Sequence, residues 1–316
     1  MATSERATAP SLHDMLQRLA NWTVLFRVGE YIFVTLGLFA AIGALLGGLW
    51  AAALLLGQGL PLLDVALLLA GILVGHIVLA RAFMLPWRLS DLVQRTGETL
   101  RTVEFASWGG FIGVAAGVVL YAVFSGRSLL FLIDVVVLGG TLAHAVGRIG
   151  CLTFGCCFGR PSESPLAIRY DNPMAKAARA AGLRGTPIHP VPLYEAALIL
   201  LLFLVLNGIA LAGSREGVLA ALYLVTYGSG RFLLEFLRYD SGNDHIGPLL
   251  RNQWLSLSQA GAGVALLVAL STASGPASPS IGEADAQVLV LLPLLAACAV
   301  IVFLAYSLHR GSIGRW

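Results

Sequence analysis

The sequence predicts an all-α integral membrane protein, a polytopic bundle of seven or eight transmembrane helices with a polar head of loops. Three observations predict it. Of 316 residues, 58% are apolar and only 12% are charged, where soluble domains run at about 45–50% and about 25%. Mean hydropathy is +0.83. Eight apolar runs approach or reach the about 17–25 residues needed to cross a bilayer. A chain so poor in charge cannot coat a body folded in water. Soluble enzymes, disordered tails, collagen-like repeats and disulfide scaffolds are excluded.

The elements follow in order. Residues 1–30 form a polar to amphipathic segment, and the run after them is too long for a signal-peptide core, so it reads as a retained span. The runs cover 31–56, 62–80, 109–124, 129–146, 193–211, 218–237, 254–271 and 288–307. The third and fourth are the weakest, being short or interrupted by Asp134 and glycines. Residues 31–271 make a transmembrane domain of seven spans, 272–286 a flexible linker, and 287–316 an additional C-terminal helix and tail. Long polar connections fall at 81–108, 147–192 and 238–253, the last with Asp240, Asn243, Asp244 and His245.

The net charge of +3 is too mild to argue for nucleic acid, so the arginines are read by position. The N-terminus and alternate loops collect almost all of them, and the opposite side holds only Arg127 and Arg215. By the positive-inside rule this places both termini and the 147–192 loop in the cytoplasm.

Three segments could carry chemistry. The densest runs from His144 through Gly147, Arg148, Gly150, Cys151, Gly155, Cys156 and Cys157 to Arg160. Its glycines let a backbone turn tightly and approach a ligand. Arg148 stands at the end of an apolar run, where a charge is costly unless paired or wetted, and suits a lipid phosphate. His144 lies four residues earlier, on the same face if the helix persists. In the second segment Tyr227, Arg231 and Glu235 recur every four residues, followed by Arg238. Glu235 either forms a plain ion pair with Arg231 or orients it toward an anion. The third, His189-Pro190 with Tyr194 and Glu195, opens the fifth span.

These blocks resemble the prolipoprotein diacylglyceryl transferase family. The matches are Gly147-Arg148-Ile149-Gly150, His189-Pro190 with Leu193-Tyr194-Glu195, Tyr227 with Arg231-Phe232, Glu235-Phe236 and Arg238, and Gln253-Trp254-Leu255-Ser256. Cys151, Phe154 and Cys156 stand where the family pattern has Asn, Asn and Glu, and Trp108 stands where it has a histidine proposed as catalytic. The resemblance implies a multi-pass protein of the bacterial inner membrane, usually with seven spans and the site on the outer face. That orientation opposes the arginine count, and it is preferred here because arginines that bind phosphate spoil a counting rule.

The implied reaction moves the sn-1,2-diacylglyceryl group of phosphatidylglycerol onto the lipobox cysteine of a prolipoprotein signal peptide, releasing glycerol 1-phosphate. Arg148 and Arg231 would hold the departing phosphate, with Tyr227 as a further donor and Glu235 holding Arg231. His144 or His189 would take the thiol proton. Gly147, Gly150, Gly155, Tyr194 and Arg238 would line the substrate site. The alternatives are a relative that lipidates another acceptor and a non-catalytic phospholipid-binding protein. No cofactor or metal is expected, since Cys-x4-Cys-Cys is not a recognised zinc spacing. Packing is the leading role for Cys151, Cys156 and Cys157, ahead of a disulfide in an oxidising compartment.

Overall fold

The computed structural model describes residues 11–83, 85–88, 93–94, 107–239, 245–272, 275, 286–310 and 313. Asp240, Asn243 and Asp244, with most of the 272–286 linker, lie outside them. The bundle is built from α2 (Thr35–Gly57), α3 (Leu62–Ala82), α4 (Ser107–Ser125), α5 (Leu129–Phe154), α7 (Val191–Ala212), α8 (Val218–Glu235), α9 (Arg251–Thr272) and α10 (Leu292–Ser307). The short helices α1 (Leu12–Ala20) and α6 (Lys176–Ala181) lie outside it. Among the described residues, seven helices are long and apolar enough to cross a membrane. They include every bundle helix but α8, whose 18 residues carry Arg231 and Glu235.

Small residues set the packing, as expected where lipid tails remove most of the hydrophobic drive between helices. On α2, a Cβ on Gly47 would lie 2.4 Å from the carbonyl oxygen of Gly139 on α5, so only glycine permits that approach. Gly75 of α3 meets Gly113 of α4, and Gly228 of α8 meets Ala260 of α9. Along each pair the contacts advance in one helix and retreat in the other, so the pairs are antiparallel. The buried carboxylate of Asp134 accepts from the backbone N–H groups of Gly217 and Ala220, both at 2.8 Å. A charge the sequence could read only as an interruption thereby caps the positive N-terminal end of α8.

The antiparallel arrangement gathers the long connections at one end. There β1 (Val24–Val28) and β2 (Tyr31–Val34) form a hairpin, and β3 (Leu308–Arg310) adds to β2 to complete a three-stranded antiparallel sheet. Residues 31–34, expected to begin the first span, are therefore strand, and the span starts at Thr35. Ser307 at the end of α10 donates to the carbonyl of Val34 at 2.8 Å. The C-terminal helix is thus tied into the bundle at its head end.

A second correction matters more for the site. The fourth span was expected to end at residue 146, but α5 continues to Phe154. Gly147 and Gly150 are consequently helical, and a Cβ on Gly150 would lie 3.0 Å from the Leu36 carbonyl, so that glycine serves helix packing. Only Gly155, with φ of 72°, makes a turn, as the left-handed cap of α5. Tyr170 donates its hydroxyl to the carbonyl of Leu152 at 2.7 Å. Burial holds that phenol well above its ordinary pKa, so it stays a donor.

Candidate active site

Four helix ends meet just inside the head: the last turns of α5 and α8 and the first turns of α7 and α9. The segment 158–160 stitches three of them together. Gly159 N–H donates to the His189 carbonyl (3.1 Å) and His189 N–H to the Arg160 carbonyl (3.0 Å). On its other edge Arg160 N–H donates to Leu237 (2.8 Å) and Tyr239 N–H to Phe158 (3.1 Å). A Cβ on Gly159 would lie 2.6 Å from that of His189, so glycine is what admits this threading.

Inside this ring runs a chain of buried charge. Glu195, fully buried on the first turn of α7, accepts from the Arg148 guanidinium at 2.8 Å and from the Tyr227 hydroxyl at 2.7 Å through the same Oε1. Arg231 Nε stands 3.9 Å from that oxygen, while its other end reaches Glu235 Oε2 at 2.5 Å. Glu235, also fully buried, meets Arg238 at 3.7 Å and accepts from Asn252 of α9 at 3.0 Å. Glu195 thus bridges arginines from two helices that sequence spacing could not relate. The five ionised groups carry one formal positive charge in excess, in a place where each charge is costly unless matched.

His144 sits one turn before Arg148, and the helix does persist between them. Its Nε2 is 3.1 Å from Arg148 Nε. A guanidinium in a protein always donates, so Nε2 is the acceptor and the neutral ring carries its proton on Nδ1. That nitrogen is buried with no hydrogen-bond partner among the described residues, as is Glu195 Oε2. The site therefore holds one unused donor and one unused acceptor. A proton acceptor is not what His144 offers in this arrangement, because its basic nitrogen already faces a cation.

An aromatic row flanks the charges. Trp108 meets Phe111, Phe111 meets His144, His144 meets Tyr227 edge-on at 5.4 Å, and Tyr227 stacks on Tyr223 at 5.4 Å. Trp108 thus reaches the site only through packing. His189 and Tyr194 turn to each other, Nδ1 to hydroxyl at 3.3 Å, at the entrance of α7. Gly147 has open space around it, and Gly155 packs on Ala175. The structure accordingly brings together Arg148, His144, Tyr227, Arg231, Glu235 and Arg238. The residues missed by sequence reasoning are Glu195, quoted only as part of a block, and Asn252. Four residues separate His189-Pro190 from Glu195, and nothing in that spacing signals a bridge to Arg148.

The profile of the prolipoprotein diacylglyceryl transferase family matches residues 23–269. The chain is 32% identical over 154 residues to a phosphatidylglycerol–prolipoprotein diacylglyceryl transferase of Clostridium tetani, covering 48% of this chain and 59% of the relative. It is 37% identical over 135 residues to the enzyme of the same name from Rhodospirillum centenum, covering 41% and 46%. With that of Clostridioides difficile it shares 30% over 183 residues, covering 57% and 68%. The chain spans just over half the length of the first of these relatives.

Proposed function

As a member of the prolipoprotein diacylglyceryl transferase family, the chain, we propose, transfers the diacylglyceryl group of phosphatidylglycerol to the lipobox cysteine of a prolipoprotein. The observation that carries this reading is the buried Arg148–Glu195–Arg231–Glu235–Arg238 chain with its excess positive charge. A phosphodiester is the anion that a lipid headgroup brings to this depth.

In the reaction a thiolate attacks the glyceryl carbon bearing the phosphate. The carbon–oxygen bond breaks, and its electron pair leaves with glycerol 1-phosphate. One negative charge on the phosphate becomes two, so charge-assisted bonds from Arg148 and Arg231 strengthen as the bond breaks. Glu195 and Glu235 hold both guanidiniums in place beforehand, so little reorganisation remains for the transition state. The two unused groups fit the glycerol end of the headgroup: Nδ1–H of His144 donates to a hydroxyl oxygen, and Glu195 Oε2 accepts from a hydroxyl.

The protein lies in the bacterial inner membrane with its head on the outer face. Several head arginines have structural work that removes them from the orientation count. Arg160 donates to the Arg238 carbonyl, Arg169 to Gly185 and Arg184 to Asp171. The test is turnover of phosphatidylglycerol labelled in its acyl chains, with a lipobox peptide as acceptor. The expected result is lipidated peptide together with glycerol 1-phosphate. Glycerol 1-phosphate without lipidated peptide would assign another acceptor, and bound lipid without turnover would make the chain a lipid-binding relative.

A further inference from the structure

Three thiols stand beside the arginines without a part in that mechanism. The Sγ atoms of Cys151, Cys156 and Cys157 all lie within 4.8 Å of one another, and the three residues are half-buried rather than sealed. All are free thiols. Cys-x4-Cys-Cys is not a recognised zinc spacing, but the fold brings the three thiols together. Cys151 comes from the last turn of α5, Gly155 turns the chain back, and Cys157 adopts φ of 56°, a left-handed conformation rare for a residue with a Cβ. Backbone strain of that kind persists only where its surroundings demand it. Here it brings the third thiol to the other two. Cys157 Sγ also lies 3.5 Å from Arg148, the residue assigned to the leaving phosphate.

We infer that Cys151, Cys156 and Cys157 form a three-thiolate zinc site whose open fourth position takes the thiol of the acceptor peptide. Soft sulfur donors select zinc or copper(I) among common metals. Tetrahedral zinc with sulfur at about 2.3 Å places its ligands about 3.8 Å apart, within reach of this cluster. Zinc with three thiolates carries one negative charge, and the Arg148 guanidinium stands 3.5 Å from Cys157 Sγ. Three protein ligands leave the fourth position that catalytic zinc sites keep open.

The inference rests on the transferase reading and supplies what that reading lacks, since His144 is not placed to accept a proton. The acceptor thiol gives its proton to solvent as it binds zinc. Its sulfur then attacks the glyceryl carbon while the carbon–oxygen bond breaks toward the phosphate on Arg148. The thioether product is a poor zinc ligand and departs. No oxidant or reductant is needed.

The test takes the full chain purified in detergent under reducing conditions. Zinc content is measured first, and the zinc is then exchanged for cobalt(II). The expected result is one zinc per chain and a thiolate-to-cobalt charge-transfer band. That band should weaken in each of Cys151→Ser, Cys156→Ser and Cys157→Ser, which keep two of the three sulfur ligands, and vanish when all three are replaced. Each variant should also bind zinc more weakly by at least the about 10–100-fold typical of losing a supporting group around a metal. A chain without retained zinc, a band of unchanged intensity in the variants, or a native disulfide among these cysteines would overturn the site. Transfer that stops on chelation and returns with zinc supports the activating role, and transfer indifferent to chelation overturns it. Zinc bound with the sulfur signature by a protein that transfers nothing would uphold the site and count against the transferase reading instead.

Discussion

Glu195→Gln is expected to remove transfer and to destabilise the folded protein together. Its carboxylate accepts from Arg148 at 2.8 Å and from Tyr227 at 2.7 Å, with Arg231 at 3.9 Å, all on one buried oxygen. The amide keeps the shape and loses the charge, leaving two guanidiniums from different helices mutually repelling in a site of low polarity. Removing one partner of a buried pair costs about 3–5 kcal/mol. The expected readout is a lower midpoint of thermal unfolding in detergent, with transfer down by more than the about 10²–10³-fold of a single lost donor. Glu195→Asp separates the two effects. It restores the charge and part of the stability, while the shorter side chain withdraws from Arg148 and leaves transfer low. Unchanged stability and transfer in Glu195→Gln would remove Glu195 from its place at the centre of the site.

Arg148→Ala gives the second large effect, with a different signature. Arg148 donates to Glu195, lies against His144 and reaches Cys157, so its loss empties the centre of the site. Transfer should fall by about 10²–10³-fold, with weaker binding of phosphatidylglycerol. Stability should change less than in Glu195→Gln, because Glu195 keeps Tyr227 as a donor and Arg231 as a counter-charge. Arg148→Lys should rescue little, since a point charge cannot replace a planar fork that reaches three partners at once. Transfer rates across a phosphatidylglycerol titration check this, and a variant as active as the wild type would sink it.

What the sequence made legible follows from local periodicity. Runs of apolar residues marked seven or eight bundle helices, and the four-residue recurrence of Tyr227, Arg231 and Glu235 placed them on one face of α8. Two errors came from reading punctuation too literally. Gly147 and Gly150 looked like a loop, yet in a bilayer small residues more often let helices approach, and α5 runs through them. Residues 31–34 looked like membrane span, yet they pair with β1 and with β3, from near the other end of the chain. The role of Glu195 was illegible for a related reason. A carboxylate joining Arg148 to Arg231 needs the register of three helices, which no spacing within one helix contains. The same holds for the three thiols, whose spacing in sequence is unpromising and whose proximity comes from a turn at Gly155.

Half-buried arginines held by buried carboxylates seat the phosphate of a lipid headgroup. The most direct measurement is lipid competition on purified protein in nanodiscs, comparing phosphatidylglycerol with diacylglycerol of the same acyl chains in wild type and Arg231→Ala. Arg231 is the better probe, because it touches both carboxylates and none of the thiols. Wild type is expected to prefer phosphatidylglycerol by at least about tenfold, or about 1.4 kcal/mol, and Arg231→Ala to lose most of that preference. Equal binding of the two lipids by wild type, or an unchanged preference in the variant, would contradict it.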